Sequence, residues 1–225
     1  MYRACIFDLD GTLANTLYSI AFFSNEALRQ QGYPVIQAED YRKIVGDGAD
    51  MQIHRMLTAV SGGHSFTEQE AASLKEIYFS LYEKDPVYLV REYPGMQETI
   101  EQLKKSGILT AVLSNKPNAW TQAIVSALFP SGSFELCFGQ QSGIPRKPSP
   151  DGALLIAKKF KLEPKDILYI GDTNTDMKTG KNAGMDTAGA LWGFRDRAEL
   201  EENGAVYLLE SPKEILSVVN GKGKS

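Results

Sequence analysis

The chain has 225 residues, 43% of them apolar and 23% charged, with a formal net charge of −4. That length holds one large domain or two modest ones, each able to bury its own core. The acidic balance gives no electrostatic footprint for nucleic acid or an anionic membrane, so any anion site must be a local basic feature.

The first strand-like run, Ala4–Phe7, is short and apolar and reaches Asp8 at once, which reads as neither a signal peptide nor a membrane span. The two cysteines, Cys5 and Cys137, both fall in strand-like runs and read as buried reduced thiols, in keeping with a cytoplasmic location.

From about Thr16 to Val90 the pattern turns helical. Leu17, Ile20, Phe23, Ala27 and Leu28 share one face; Met56, Leu57 and Val60 another; Leu74, Ile77, Tyr78 and Leu81 a third. From Gly95 onward strand and helix patterns alternate, as in a parallel sheet with crossover helices. The strand candidates are Ile108–Leu113, Phe134–Phe138, Ile167–Ile170, Thr187–Leu191 and Ala205–Leu209. Ser149 and Pro150 read as the N-cap and first position of a helix, Ala183-Gly184 as a helix end, and Gly221–Ser225 as a frayed tail. The expected domains are therefore an α/β core from residues 1–15 and 91–225 and a helical insert over 16–90.

Four strands end in polar clusters, and in open parallel sheets ligands bind beyond the carboxyl ends of the strands. The first cluster is Asp8-Leu9-Asp10-Gly11-Thr12, whose alternate carboxylates suit a nucleophile and an acid/base, or a pair of turn-capping aspartates. The second, Ser114-Asn115-Lys116, offers a hydroxyl and N–H groups to phosphoryl oxygens, though Ser-Asn-Lys-Pro is also turn chemistry. The third, Arg146-Lys147-Pro148, supplies a cation or a solvated loop. The fourth, Gly171-Asp172-Thr173-Asn174-Thr175-Asp176, places carboxylates where a hard cation such as Mg²⁺ could bind, or where one aspartate caps a helix.

These clusters, in this order and across nearly the whole chain, resemble the haloacid dehalogenase superfamily. The resemblance implies a Rossmann-like parallel sheet with an inserted α-helical cap. It implies that Asp8 attacks phosphorus to form an aspartyl-phosphate and that Asp10 protonates the leaving group and later activates water. Mg²⁺ would be held by the Asp8 carboxylate, the Asp10 carbonyl and Asp172. Ser114 and the Asn115 amide would bind phosphoryl oxygens, with Thr12 counted among the substrate-binding residues. Lys147 would orient Asp8, and Asp176 would position Lys147 or a metal-bound water. A dehalogenase expels halide and has no task for an acid at position 10, so Asp10 argues for phosphoryl transfer.

Ile44–Asp50, together with the segment from Gly171 to Arg195, looks like phosphoglycolate phosphatases. Within it Gly46 and Gly48 are candidates to meet the leaving group, with the nearby Asp47 and Asp50 opposing an anion unless they point away. Arg42, Lys43, His54 and Arg55 read as surface residues, and Arg195 and Arg197 as an exposed helix start. The expected partner is a small phosphorylated metabolite, not nucleic acid or membrane, and the expected assembly a monomer or homodimer. A phosphosugar mutase, a pyrophosphatase or nucleotidase of the same superfamily, and a non-catalytic phosphate sensor are the alternatives.

Overall fold

The computed structural model describes residues 1–221, so the expected frayed tail falls, from residue 222, outside the described residues. The chain divides into two compact units. One is Met1–Asn15 with the chain from Arg91 onward, and the other is Thr16–Val90.

The chain opens with β1 (Ala4–Phe7) and a two-residue β2 (Ala14–Asn15). The helical unit follows as α1 (Leu17–Gln30), a 3-10 turn, α2 (Tyr41–Ile44), α3 (Ala49–Val60) and α4 (Glu68–Tyr82). Its apolar stripes pack together around Tyr41 and Tyr82, both fully buried, with the Phe23 and Tyr82 rings 5.0 Å apart. A capping box starts α4: Thr67 Oγ1 accepts from Glu70 N at 3.2 Å and Glu70 Oε2 accepts from Thr67 N at 2.7 Å. The acids at the start of α3 are paired by cations from α3 and α4. Asp47 pairs with Arg55 at 2.5 Å and Asp50 with Lys75 at 2.5 Å.

The chain re-enters the core at β3 (Arg91–Glu92), antiparallel to β2, so a two-residue ribbon joins the points where the insert leaves and returns. Runs this short carry no periodicity, so the sequence pattern does not mark them. Then follow α5 (Met96–Lys105), β4 (Leu109–Pro117), α6 (Asn118–Leu128), β5 (Leu136–Gln140), α7 (Asp151–Phe160), β6 (Ile167–Gly171), α8 (Asn174–Asn182), β7 (Asp186–Ala190), α9 (Arg197–Glu202), β8 (Tyr207–Leu209) and α10 (Glu214–Val219).

Six strands form one parallel sheet in the order β5-β4-β1-β6-β7-β8. The chain runs outward to one edge through β4 and β5, then returns beside β1 to build the other half. The topological switch lies at β1, between β4 and β6, and all three point their carboxyl ends the same way. Alternate residues Ala4, Ile6, Ala111, Leu113, Ile167 and Tyr169 form one face of the core against Ala153, Ile156 and Ala157 of α7.

Several expected boundaries shift by one or two residues, among them β7 and β8, and three differences have a local cause. β4 runs on through Ser114-Asn115-Lys116 to Pro117 because pairing with β5 resumes at Pro117↔Gln140 after a register shift beyond Leu113↔Phe138. β5 begins two residues later than the apolar run suggests, since Phe134 packs as a loop residue against Phe7 and Phe129. Ser149 does not cap α7. Its hydroxyl turns to the Asp151 carboxylate, and the Pro150 carbonyl accepts the first helical bond from Leu154 N at 2.9 Å. Cys137 is half-buried, unlike the fully buried Cys5.

Gly180 allows α8 to lie close on the sheet, for a Cβ there would stand 2.4 Å from Thr187 Cγ2 and 3.0 Å from Tyr169 Cβ. Helix propensity alone predicts that Gly180→Ala stabilises by about 1 kcal/mol. Overpacking of about 1–3 kcal/mol outweighs it. The variant should unfold at lower urea with unchanged denaturant slope.

Candidate active site

The apolar strands β1 and β6 lie side by side, and the first residues past their ends are acidic. Asp8 N still bonds to Ile170 O at 2.9 Å, which carries the sheet register one residue into the site. The amides of Thr12, Leu13 and Ala14 then turn in on Leu9 O. Gly11, at φ +87°, makes that turn, and its missing Cβ matters: one placed there would lie 2.1 Å from Asp172 Oδ2. Gly193 closes on Asp172 from another side, with a virtual Cβ 2.2 Å from Asp172 Cβ.

Asp8, Asp172 and Asp176 are all buried, and one carboxylate oxygen from each lies within 4.8 Å of the others. Lys147, from the loop after β5, joins two of them, with Nζ 2.8 Å from Asp8 Oδ1 and 2.7 Å from Asp176 Oδ1. The other Asp176 oxygen accepts from Thr173 N at 3.1 Å and Thr173 Oγ1 at 2.7 Å, closing a capping box that starts α8. Asp172 takes one bond on each oxygen, from Thr12 Oγ1 at 2.9 Å and Phe194 N at 2.8 Å. A carboxylate has about four lone-pair sites, so Asp172 keeps more acceptor capacity than Asp176.

Asn115 fixes Lys147 through its side chain, donating from Nδ2 to Lys147 O at 3.1 Å while its Oδ1 accepts from Lys147 N at 2.9 Å. Ser114 is buried beside it and its hydroxyl accepts from Lys116 N at 3.2 Å. Thr12, expected among the substrate-binding residues, supports Asp172 in the fold. It is fully buried, its hydroxyl serves Asp172, and its carbonyl accepts from Trp192 Nε1 at 3.0 Å. Gly46 (φ +119°) and Gly48 (φ +87°) lie in the helical unit, on the turn between α2 and α3, and Gly48 precedes α3 directly. Arg195 is not exposed as expected. Its side chain keeps 10% of its surface and bonds to Glu199 at 3.2 Å.

Lys116 is the residue that the sequence reading leaves without a role of its own. Its side chain is 5% exposed, and its ammonium donates to both Asp10 oxygens at 3.1 and 3.3 Å. The available signal was its spacing, two residues beyond Ser114 at the end of a buried strand.

The site is short of positive charge. Asp8, Asp10, Asp172 and Asp176 face Lys116 and Lys147, four carboxylates against two ammoniums. Burial, then the Asp176 charge, push the Asp8 carboxyl up from its ordinary 3.8 to about 7, with Lys147 opposing. Burial, Asp176 and Asp8 likewise hold Asp172 well above the carboxylate range. Burial works against the Lys147 charge, but Asp176 and Asp8 outweigh it and keep the ammonium well above the usual lysine range. An all-oxygen, acidic, glycine-lined cradle lacking two positive charges fits a hard divalent cation.

Residues 5–190 match the haloacid dehalogenase-like hydrolase family, and the chain belongs to it. Within that family it is a phosphatase. The phosphoglycolate phosphatase of Mannheimia succiniciproducens is 32% identical over 215 residues, covering 95% of this chain and 96% of that protein. The phosphoglycolate phosphatase of Aquifex aeolicus is 30% identical, covering 97% of each. A crystal structure from Lactobacillus delbrueckii subsp. bulgaricus, 29% identical, matches with a TM-score of 0.91 over 97% of this chain and 98% of that one. Among the described residues no helix is long and apolar enough to cross a membrane.

The raised Asp8 value has a consequence for folding. With about 7 in the fold against 3.8 ordinarily, the unfolded chain gives up this proton first as pH rises. Stability is therefore lost between about pH 4 and about pH 7, on the rising side. In EDTA, Asp8→Asn should melt at the wild-type temperature below pH 4, gain through that window, and stand at least about 3 °C higher at pH 8. Thermal melts across the range test this; an advantage that shrinks as pH rises would contradict it.

Proposed function

We propose that this phosphatase hydrolyses 2-phosphoglycolate with Mg²⁺ through an aspartyl-phosphate on Asp8. The observation that carries the chemistry is the buried Asp8 carboxylate, held by Lys147 in a site short of two positive charges. The substrate reading rests on the relatives named phosphoglycolate phosphatase and on the Ile44–Asp50 and Gly171–Arg195 segments.

An Asp8 oxygen attacks phosphorus in line, its new bond to phosphorus forming as the ester P–O bond breaks. Asp10 gives a proton to the departing alkoxide, then takes one from the water that cleaves the aspartyl-phosphate and releases phosphate. Lys147 keeps Asp8 aimed and offsets charge on the phosphoryl oxygens, and Asp176 keeps Lys147 in place. The Ser114 hydroxyl and the main-chain N–H of Asn115 donate hydrogen bonds to the remaining phosphoryl oxygens. The Asp8 and Asp172 carboxylates and the Asp10 carbonyl would hold Mg²⁺, whose charge would offset the repulsion between an anionic nucleophile and an anionic ester. Thr12 acts through Asp172. The helical unit, Thr16–Val90, acts as a cap that contributes to choosing the leaving group through the Gly46–Gly48 turn.

Phosphate release with Mg²⁺ over 2-phosphoglycolate, pyrophosphate, sugar phosphates, nucleotides and an aryl phosphate tests the reading. 2-Phosphoglycolate should give the highest kcat/KM, and Asp8→Asn should lower kcat at least about 10³-fold. A flat profile that still needs Asp8 would remove the substrate and keep the chemistry. Saturating Mg²⁺ should raise the melting temperature by about 5 °C or more, and Asp172→Asn should abolish that rise.

A further inference from the structure

The site contains two buried lysines with different partners. Lys147 bridges Asp8 and Asp176, on the side of the nucleophile. Lys116 grips both oxygens of Asp10, on the side of the departing group, and Asp10 is the more open of the two lysine-bound carboxylates of the first cluster, 19% exposed against 9% for Asp8. Lysine is rarely buried to this depth without a specific partner, and desolvating an ammonium is costly. An Asp8-ward lysine alone would suffice to hold the nucleophile. The second lysine needs its own account.

From this arrangement we infer that Lys116 is a specificity residue: it receives an anionic group carried next to the ester oxygen of the leaving group. The inference rests on the proposed phosphatase chemistry and deepens its substrate assignment. Asp10 must come within about 2.7 Å of the ester oxygen to protonate it. Lys116 Nζ lies 3.1 Å beyond the nearer Asp10 oxygen. The ammonium therefore stands no more than about 6 Å from the ester oxygen. A carboxylate one carbon away from that oxygen falls in this span, and a two-carbon hydroxy acid has its carboxylate there.

Serving two carboxylates at once is what Lys147 already does, at 2.8 and 2.7 Å. Lys116 does the same with Asp10 and the substrate. The lysine stem is flexible and its charge compact, so Nζ needs no fork geometry to share itself. A neutral leaving group of the same length offers Lys116 no charge-assisted bond and leaves it on Asp10. The placement follows from the irregularity in β4, where the register shift between Leu113 and Pro117 carries Ser114 and Lys116 past the regular ladder.

The test compares two esters of equal length, 2-phosphoglycolate and 2-hydroxyethyl phosphate, by kcat/KM with wild type, Lys116→Met and Lys116→Arg. Wild type should prefer the carboxylate ester. Lys116→Met should cut that preference about 10- to 100-fold, mainly through KM, and Lys116→Arg should keep most of it. The ratio of the two substrates is independent of the active fraction, so partial misfolding does not imitate the effect. If Lys116→Met has no measurable turnover, Lys116→Gln supplies the ratio. A wild-type preference that survives loss of the ammonium makes Lys116 a positioning residue for Asp10 and overturns this inference alone. A wild type that favours the neutral ester overturns both the inference and the substrate reading.

Discussion

Buried negative charge is the constraint on which this core depends. Three carboxylates, Asp8, Asp172 and Asp176, lie within one small volume beyond two neighbouring strands, and Lys147 bridges two of them. Such crowding is unfavourable for folding, as the upward push on Asp8 and Asp172 records. The surrounding structure answers it bond by bond. Thr12 and the Phe194 amide hold Asp172, Thr173 holds Asp176, and Asn115 holds the backbone of Lys147. What is left over is a deficit of positive charge, and that deficit is the site's capacity for a divalent cation and a phosphate ester.

The glycines around the site follow from the same crowding. Gly11 and Gly193 make room for the Asp172 carboxylate, and Gly171 makes room for Asp176, where a Cβ would stand 2.2 Å from the Asp176 Cβ. Carboxylates packed against main chain exchange solvent for fixed N–H and hydroxyl donors, which suits a site whose charges must not wander as chemistry proceeds. The polar supports are thus as structural as the apolar core beneath them.

Placement of the site is a matter of topology. With β1 between β4 and β6, the loops after these strands diverge from one point, and the loop after β5 reaches in with Lys147. The order of the strands therefore gathers residues 8, 114, 147 and 172 although they are spread over most of the chain. The small ribbon of Ala14–Asn15 with Arg91–Glu92 lets a helical unit be inserted here without disturbing the sheet.

Much of this was readable from local pattern. Apolar runs of four residues leading into Asp8 and into Gly171-Asp172 declare buried strands with polar ends, because β1 and β6 are covered on both faces and cannot alternate. The helical stripes of the insert were equally plain, since each needs a buried face of its own. Only the tertiary structure decided which polar side chains meet. Thr12 turns to Asp172 instead of outward, Asn115 spends its side chain on the Lys147 loop, and Lys116 closes on Asp10 across a separation of 106 residues. No periodicity encodes such pairings: they depend on strand order, on the register shift in β4, and on long-range electrostatics that exist only once the sheet has formed.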